Sequence, residues 1–224
     1  MKKLFLLVLT AAFAAASTTT TFAAIVIPTT VIASFTFDGS VGSEVNYAAN
    51  TLDIGSLQSC VITRGPGILP ASGAGSFSSS GFSAAFDASE YYSITLTPVV
   101  GVTISPIELA LDGRRSGTGP LNWELRSSVD SYSMTLVSGS LPEDTTVHRQ
   151  TAAIGGMGDF STPVELRLYA YGASSGSGTW RLDNIDVSSA VPEPKEYGEV
   201  AAGGLVMFFF ARKVRKRLLH NGRR

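Results

Sequence analysis

Short runs in which apolar and polar side chains alternate fill the middle of this chain. In one of them Tyr92, Ile94 and Leu96 alternate with Ser93 and Thr95; comparable runs start at Ala33, Phe82, Ile107, Leu121, Tyr132 and Val164. A period of two places one face of a strand on a core and the other face in water. Gly- and Ser-rich segments separate the runs. The pattern predicts an all-β fold, an antiparallel β-sandwich, and we favour a jelly-roll order of strands over an immunoglobulin order.

The last run contains a break in this alternation. Trp180 and Leu182 fall on one face of the strand, whereas Ile185 and Val187 fall on the other. One extra residue at Asp183-Asn184, a β-bulge, would return all four apolar side chains to the core. The sequence therefore predicts a bulge in the final strand.

The first 23 residues have the pattern of a signal peptide. Lys2 and Lys3 give a positive start, residues 4–16 are apolar, and Thr21-Phe22-Ala23 offers small residues at the −3 and −1 positions. We expect cleavage after Ala23 during export by the Sec machinery, with residues 14–16 as a second candidate site.

The last 34 residues combine an extended spacer, an apolar run and a basic end. Pro192 and Pro194 fix φ and keep the chain around Glu193 extended and accessible. The apolar run at 200–211, extended back to 197, is shorter than the roughly 20 residues that a membrane helix needs. The basic cluster that follows is Arg212, Lys213, Arg215, Lys216 and Arg217. Because Lys and Arg stay on the cytoplasmic side, we predict a short transmembrane helix at about 197–211 with the C-terminus inside.

This tail, with Val191, Pro192, Glu193 and Pro194 before the apolar run and the basic cluster, resembles the PEP-CTERM sorting signal of exported Gram-negative bacterial proteins. The resemblance implies processing by an exosortase, a membrane protease. The protein would then be an inner-membrane-anchored precursor with a cytoplasmic C-terminus, and afterwards a cell-surface or extracellular protein.

The middle of the chain carries a second resemblance. Four segments are similar to a β-rich domain common in PEP-CTERM proteins of Verrucomicrobia-like bacteria: residues 115–120, 124–130, 169–176 and 179–185. This similarity implies a domain type but no particular activity. The pattern is also loosely similar to carbohydrate-binding jelly rolls, whose final strand often carries an Asp-Asn pair.

The chain thus divides into a signal peptide (1–23), a β-sandwich domain (24–190) and a sorting tail (191–224). The domain contains seven arginines, no lysine and 15 acidic residues, which give a formal charge of about −8. This balance argues against nucleic-acid binding through phosphates. Cys60 is the only cysteine, so no intrachain disulfide can form, and its neighbours Val61 and Ile62 predict a buried strand. Pairing with His148 as a catalytic couple is not expected.

Acidic residues of the first and last strands form a candidate metal site. In a jelly roll these strands can be neighbours, so oxygens of Asp38, Asp183 and Asn184 could together hold Ca²⁺, which takes six to eight oxygen ligands. The alternative is that these residues serve only as turn and bulge formers.

Three tyrosines form a candidate ligand-binding surface. Tyr91, Tyr169 and Tyr171 lie on the faces of their strands opposite the apolar residues. Exposed rings there could stack on sugars, because tyrosine combines an apolar body with a polar tip. Ordinary β propensity on a solvent-facing sheet is the alternative.

Catalytic chemistry has little support in the sequence. Glu108, Glu124 and Glu165 lie in predicted strands and could form a glycosidase pair, but so many acidic residues make some pair inevitable. No nucleophile elbow, zinc-binding helix, phosphate loop or Cys-X-X-Cys pair occurs. We therefore expect a non-enzymatic structural or adhesive protein of the envelope or matrix, associated with exopolysaccharide. The alternative is a carbohydrate-binding module, with calcium as a candidate cofactor; a glycoside hydrolase is a distant third.

Overall fold

The computed structural model describes residues 29–142, 144 and 146–190, and these residues form two antiparallel β-sheets that enclose one core. The seven-stranded sheet contains β1 (Thr29–Phe35), β3 (Thr51–Leu52), β5 (Leu69–Pro70), β6 (Phe77–Ser80), β8 (Pro106–Arg115), β11 (His148–Ala153) and β13 (Trp180–Ala190). The six-stranded sheet contains β2 (Tyr47–Ala48), β4 (Leu57–Arg64), β7 (Tyr91–Pro98), β9 (Asn122–Ser127), β10 (Val137–Ser140) and β12 (Val164–Tyr171). Two short 3₁₀ helices, Ser128–Asp130 and Gly155–Met157, lie in the connections. The predicted all-β sandwich is confirmed.

The order of strands makes β13 the centre of the seven-stranded sheet. That sheet runs β11-β8-β13-β1-β3, with β6 also paired to β13 and β5 to β6, and the other runs β10-β9-β12-β7-β4-β2. Thr29 at the start of β1 pairs with Ala190 at the end of β13. The first and last described strands are therefore neighbours, as expected, while the jelly-roll assignment of the whole connectivity stays a prediction.

The core lies between the inner faces of the two sheets. Tyr92, Ile94 and Leu96 of β7 are fully buried, as the alternation predicts. The Tyr92 hydroxyl donates a hydrogen bond of 2.6 Å to the carbonyl of Trp180 in the opposite sheet, which satisfies a buried polar group. Cys60 is buried in β4, and burial raises the pKa of its thiol to about 12. His148 lies in the other sheet, where Nε2 of its ring contacts the side chains of Thr146 and Asp144 at 2.8 Å.

The predicted bulge in the last strand is present. Asp183 pairs with Asp112 of β8, but the next pair is Asp186 with Ala110, so β13 contains one additional residue. Asn184 at this point has a φ of 44°. The bulge restores the alternation, because the apolar residues on both sides of it are fully buried: Trp180, Leu182, Ile185 and Val187.

Two predicted strands are wrong because side chains hold the backbone in loops there. In the segment that begins at Phe82, Glu90 accepts hydrogen bonds from the amide and hydroxyl of Ser83. In the segment that begins at Tyr132, the Asp130 carboxylate accepts from the amide of Met134. Such local bonds offer the backbone an alternative to a sheet ladder. The strands lie beside these loops instead, at β6 and β10.

The signal peptide, the Pro-Glu-Pro motif, the segment at 197–211 and the basic cluster all lie outside the described residues. Within the described residues, neither helix is long and apolar enough to cross a membrane.

Candidate functional site

The outer face of the six-stranded sheet carries a cluster of rings and charges that we call the aromatic–arginine face. Its members are Phe86, Tyr91, Glu124, Arg126, Tyr132, Glu165, Arg167, Tyr169 and Tyr171. The alternation of β12 places its Glu165, Arg167, Tyr169 and Tyr171 on one side. Tyr169 lies opposite Tyr91 in β7 and opposite Glu124 in β9. The three predicted tyrosines are therefore brought together, on the face where the sequence places them.

The rings of this face pack on one another. Tyr169 contacts Tyr91 edge-on at 5.3 Å between ring centres and Phe86 also at 5.3 Å, and Phe86 lies 5.9 Å from Tyr171. These separations lie in the range that aromatic pairs prefer. Tyr169 is only 3% exposed, Tyr91 and Tyr171 are half-buried, and Phe86 is 40% exposed. The accessible aromatic surface therefore centres on Phe86 and Tyr171, with Tyr169 beneath them.

Two guanidinium groups fill the spaces between these rings. The central carbon of the Arg167 guanidinium lies 3.8 Å from the ring centre of Tyr132 and 4.3 Å from that of Tyr91. The corresponding carbon of Arg126 lies 4.9 Å from the ring centre of Phe86. Cations within about 6 Å of an aromatic face are attracted by its quadrupole. The stacking fixes planar hydrogen-bond donors beside the exposed rings.

Glu165 is the electrostatic centre of the face. Its carboxylate accepts hydrogen bonds from the Ser93 hydroxyl at 2.7 Å, the Tyr132 hydroxyl at 2.6 Å and Nε of Arg167 at 2.9 Å. Burial alone would raise the pKa of Glu165, but these bonds and the positive charge of Arg167 hold it below its ordinary value. Burial and the bond to Glu165 raise the pKa of Tyr132 to about 12. Glu165 is therefore an ionised acceptor, and Tyr132 is a neutral donor.

The loop between β6 and β7 carries Phe86 onto this face. The amide of Gly172, just after β12, donates to the carbonyls of Ser83 and Ala84. On the other side of the loop Asp87 accepts from the amide and hydroxyl of Ser89. These bonds fix both ends of the loop and thereby hold Phe86 in place on the aromatic–arginine face. The alternation of apolar residues placed Phe86 in a strand instead, although the Asp-X-Ser spacing after it is a turn signal.

Two of the predicted metal ligands, Asp183 and Asn184, lie at the bulge of β13, and Asp38 lies in the turn after β1. Burial raises the pKa of Asp183, and the nearby charges of Asp112 and Asp38 raise it further. The side-chain amide of Asn184 donates to Asp112 at 2.9 Å. No group of three or more His, Cys, Asp or Glu side chains that could hold a metal ion occurs in the described part of the chain. Calcium at Asp38, Asp183 and Asn184 stays a prediction.

Comparisons with known proteins give structural similarities only. No protein-family model matches the chain, and no curated protein matches it. A family 29 carbohydrate-binding module is 12% identical over 72% of this chain and 90% of its own length, with a TM-score of 0.40. A mutant of that module complexed with cellulohexaose is 12% identical over 71% of this chain and 91% of its own, with the same TM-score. The K3 cleaved adhesin domain of Lys-gingipain from Porphyromonas gingivalis is 11% identical over 72% of this chain and all of its own, with a TM-score of 0.41. Since the TM-scores of these three structures lie below 0.5, the similarities do not assign the chain to a family.

Proposed function

We propose that the β-sandwich is a non-catalytic carbohydrate-binding module that uses the aromatic–arginine face as its ligand surface. The observation that carries the proposal is the accessible ring surface of Phe86 and Tyr171 beside the guanidinium of Arg126. The apolar face of a sugar ring packs against an aromatic ring, and its hydroxyls need charged or polar partners nearby. Phe86, Tyr171 and Arg126 supply both on one surface.

The rigidity of the face supports this proposal. Arg126 is held by Glu124 as well as by the rings, and Phe86 is held by a loop fixed at both ends. Side chains that are already ordered lose little entropy when a ligand binds. Most residues of the face come from three neighbouring strands, β7, β12 and β9, so the face extends across the sheet and suits an extended polysaccharide.

The carboxylates of the face do not suit a glycosidase. Glu124 lies opposite Tyr169, four residues along β12 from Glu165, so the two backbone positions are offset by about 13 Å along the strand direction. Glycosidase carboxylates lie about 5–9.5 Å apart. In addition, the pKa of Glu165 is lowered, whereas a general acid needs a raised one. Glu108 lies on the other sheet.

Binding is tested by affinity electrophoresis of the full-length protein in gels that contain bacterial exopolysaccharides and plant glucans. We expect retardation by at least one of these glycans, and Phe86→Ala and Tyr171→Ala should each weaken it about tenfold, or about 1.4 kcal/mol. Phe86→Tyr keeps the ring and should bind like wild type. Ile54→Ala removes an 82% exposed apolar side chain elsewhere and is the control. Equal retardation of both alanine variants and wild type would rule out the aromatic–arginine face as the ligand surface.

The place of action is part of the proposal. The signal-peptide pattern of residues 1–23 and the tail that begins at Val191 support export, exosortase processing and attachment to the cell surface or matrix. Binding of exopolysaccharide would then give the protein its structural or adhesive role. Mass spectrometry of the secreted protein, in a host with an exosortase, should find it without Arg224. Replacement of Pro192, Glu193 and Pro194 by alanine should retain the precursor in the inner membrane; a secreted wild-type chain that still ends at Arg224 contradicts the sorting role.

A further inference from the structure

A second pair of arginines lies on the outer face of the seven-stranded sheet. Arg181 of β13 is directly opposite Arg114 of β8. Like charges directly opposite on neighbouring strands are destabilising. Within the described part of the chain, neither guanidinium makes a hydrogen bond or an ion pair, whereas all the other arginines there do: Arg64, Arg115, Arg126, Arg149 and Arg167.

The two arginines form a wall of a cavity. A cavity of about 260 Å³ is lined by Arg114, Arg115, Ser116, Thr179 and Arg181. The hydroxyl oxygen of Ser116 accepts from the Thr179 amide at 2.8 Å, so the hydroxyl proton points elsewhere. The lining thus consists of positively charged groups and hydroxyls, which are donors to a negatively charged ligand.

The neighbouring carboxylates are directed to other partners. Asp112, two residues from Arg114, accepts from Asn184 at 2.9 Å and lies 3.4 Å from a guanidinium nitrogen of Arg149. Asp183, two residues from Arg181, accepts from the Asn184 amide at 2.7 Å. Asp112 and Asp183 line an adjoining cavity of about 190 Å³ together with Arg114 and Arg181. Among the described residues, however, neither carboxylate forms an ion pair with these two arginines.

A further donor lies beside Arg181. Ser78 of β6 is opposite Arg181 on its other side, and its hydroxyl is buried without a hydrogen-bond partner among the described residues. The backbone of Gly73 closes over this point, because a Cβ there would lie 3.1 Å from Nε of Arg181. Three adjacent strands thus place Ser78, Arg181 and Arg114 side by side, with Ser78 covered by the backbone of Gly73.

We propose that Arg114 and Arg181 form a binding site for an oxyanion, the carboxylate or sulfate group of an acidic ligand. Paired guanidinium forks match the geometry of planar or tetrahedral oxyanions and bind them through two parallel hydrogen bonds each. An oxyanion between the two groups also removes their mutual repulsion. The site is on the opposite sheet from the aromatic–arginine face and does not depend on the function proposed for that face.

The test is a titration of the full-length protein in mild detergent with sodium sulfate, sodium glucuronate or glucose, at constant ionic strength set with chloride. Thermal unfolding and calorimetry report binding. Sulfate, glucuronate or both should raise the melting temperature in a saturable way, and glucose should not. Arg114→Gln and Arg181→Gln should each weaken binding at least about tenfold, the loss of one bidentate partner. Arg181→Lys should keep part of it, because the charge remains.

The control is Ser161→Asp, which lowers the net charge by the same unit at an exposed position in the loop before β12 and should bind like wild type. If glucuronate alone binds, the ligand group is a carboxylate; if sulfate alone binds, it is a sulfate. The proposal is overturned if neither anion gives a saturable rise, or if both glutamine variants respond like wild type.

Discussion

Each outer face of the sandwich carries two arginines that lie directly opposite one another. On the six-stranded sheet the pair is Arg126 and Arg167; on the seven-stranded sheet it is Arg114 and Arg181. The first pair is interleaved with Glu124 and Glu165 and covered by rings. The second pair has neither carboxylate nor ring partners among the described residues, although the register places both pairs directly opposite one another.

The difference shows that register alone does not decide what a like-charged pair does. In the aromatic–arginine face the carboxylate of Glu165 offsets the repulsion, so arginine becomes part of the packing. Around Arg181 the nearby carboxylates bond to Asn184 and Arg149 instead, so the repulsion is left for a ligand to relieve. The same residue type is therefore structural on one sheet and a binding candidate on the other.

The largest effect on stability is expected from loss of the buried ring that packs against Arg126 of the first pair. Tyr169→Ala removes a buried ring that contacts Tyr91, Phe86 and Arg126, and should lower the free energy of unfolding by about 3 kcal/mol, as for other large buried side chains. Urea denaturation followed by tryptophan fluorescence measures this. Tyr169→Phe keeps the ring and should lose no more than about 1 kcal/mol. A loss below that value for the alanine variant would mean that the rings do not form one packed unit.

Removal of the carboxylate that pairs with Arg167 should lower the free energy of unfolding by a smaller amount. Glu165→Gln leaves Arg167 without its ion-pair partner and the hydroxyls of Tyr132 and Ser93 with a neutral acceptor. We expect a loss of about 1–3 kcal/mol in the free energy of unfolding. Glu108→Gln, at an exposed position of β8, is the matched control and should change it by less than about 0.5 kcal/mol. Equal losses in the two variants would make the two faces alike.

The contribution of Glu165 should also depend on pH. Because its folded-state pKa is lowered, its stabilisation is fully present above the unfolded-state value of about 4.3 and is lost as the pH falls through the folded value. The stability difference between wild type and Glu165→Gln should therefore shrink between pH 7 and pH 3, as measured by denaturation at each pH. A difference that stays constant over this range is the contrary result.

The smallest effect, with the opposite sign, is expected at the second pair. Arg181→Gln relieves the repulsion with Arg114 and should raise the free energy of unfolding by a few tenths of a kcal/mol at low salt. The gain should fade at about 0.5 M salt, where charges are screened over a few ångströms. Arg167→Gln, the equivalent change in the first pair, should instead destabilise. If both variants destabilise alike, the contrast between the pairs is wrong.

Features that depend on alternation within one strand can be predicted from the sequence. Features that depend on the register between neighbouring strands cannot. The bulge at Asp183-Asn184 follows from a break in parity, and Tyr91, Tyr169 and Tyr171 share a face because parity places them there. Strand β6 was missed because a single large apolar residue, Phe77, marks it. Neither arginine pair was predicted, since partners on neighbouring strands depend on a register that no single strand encodes.

The pairing of Thr29 with Ala190 has a mechanical consequence. A pull applied between these two ends opens the β1–β13 ladder one step at a time, as a zipper opens, and meets little resistance. A pull along the axis of β13 instead drags this strand lengthwise against both β1 and β8, so that many backbone hydrogen bonds bear the tension together. The domain should therefore resist a force along its central strand far better than a force that separates its two ends.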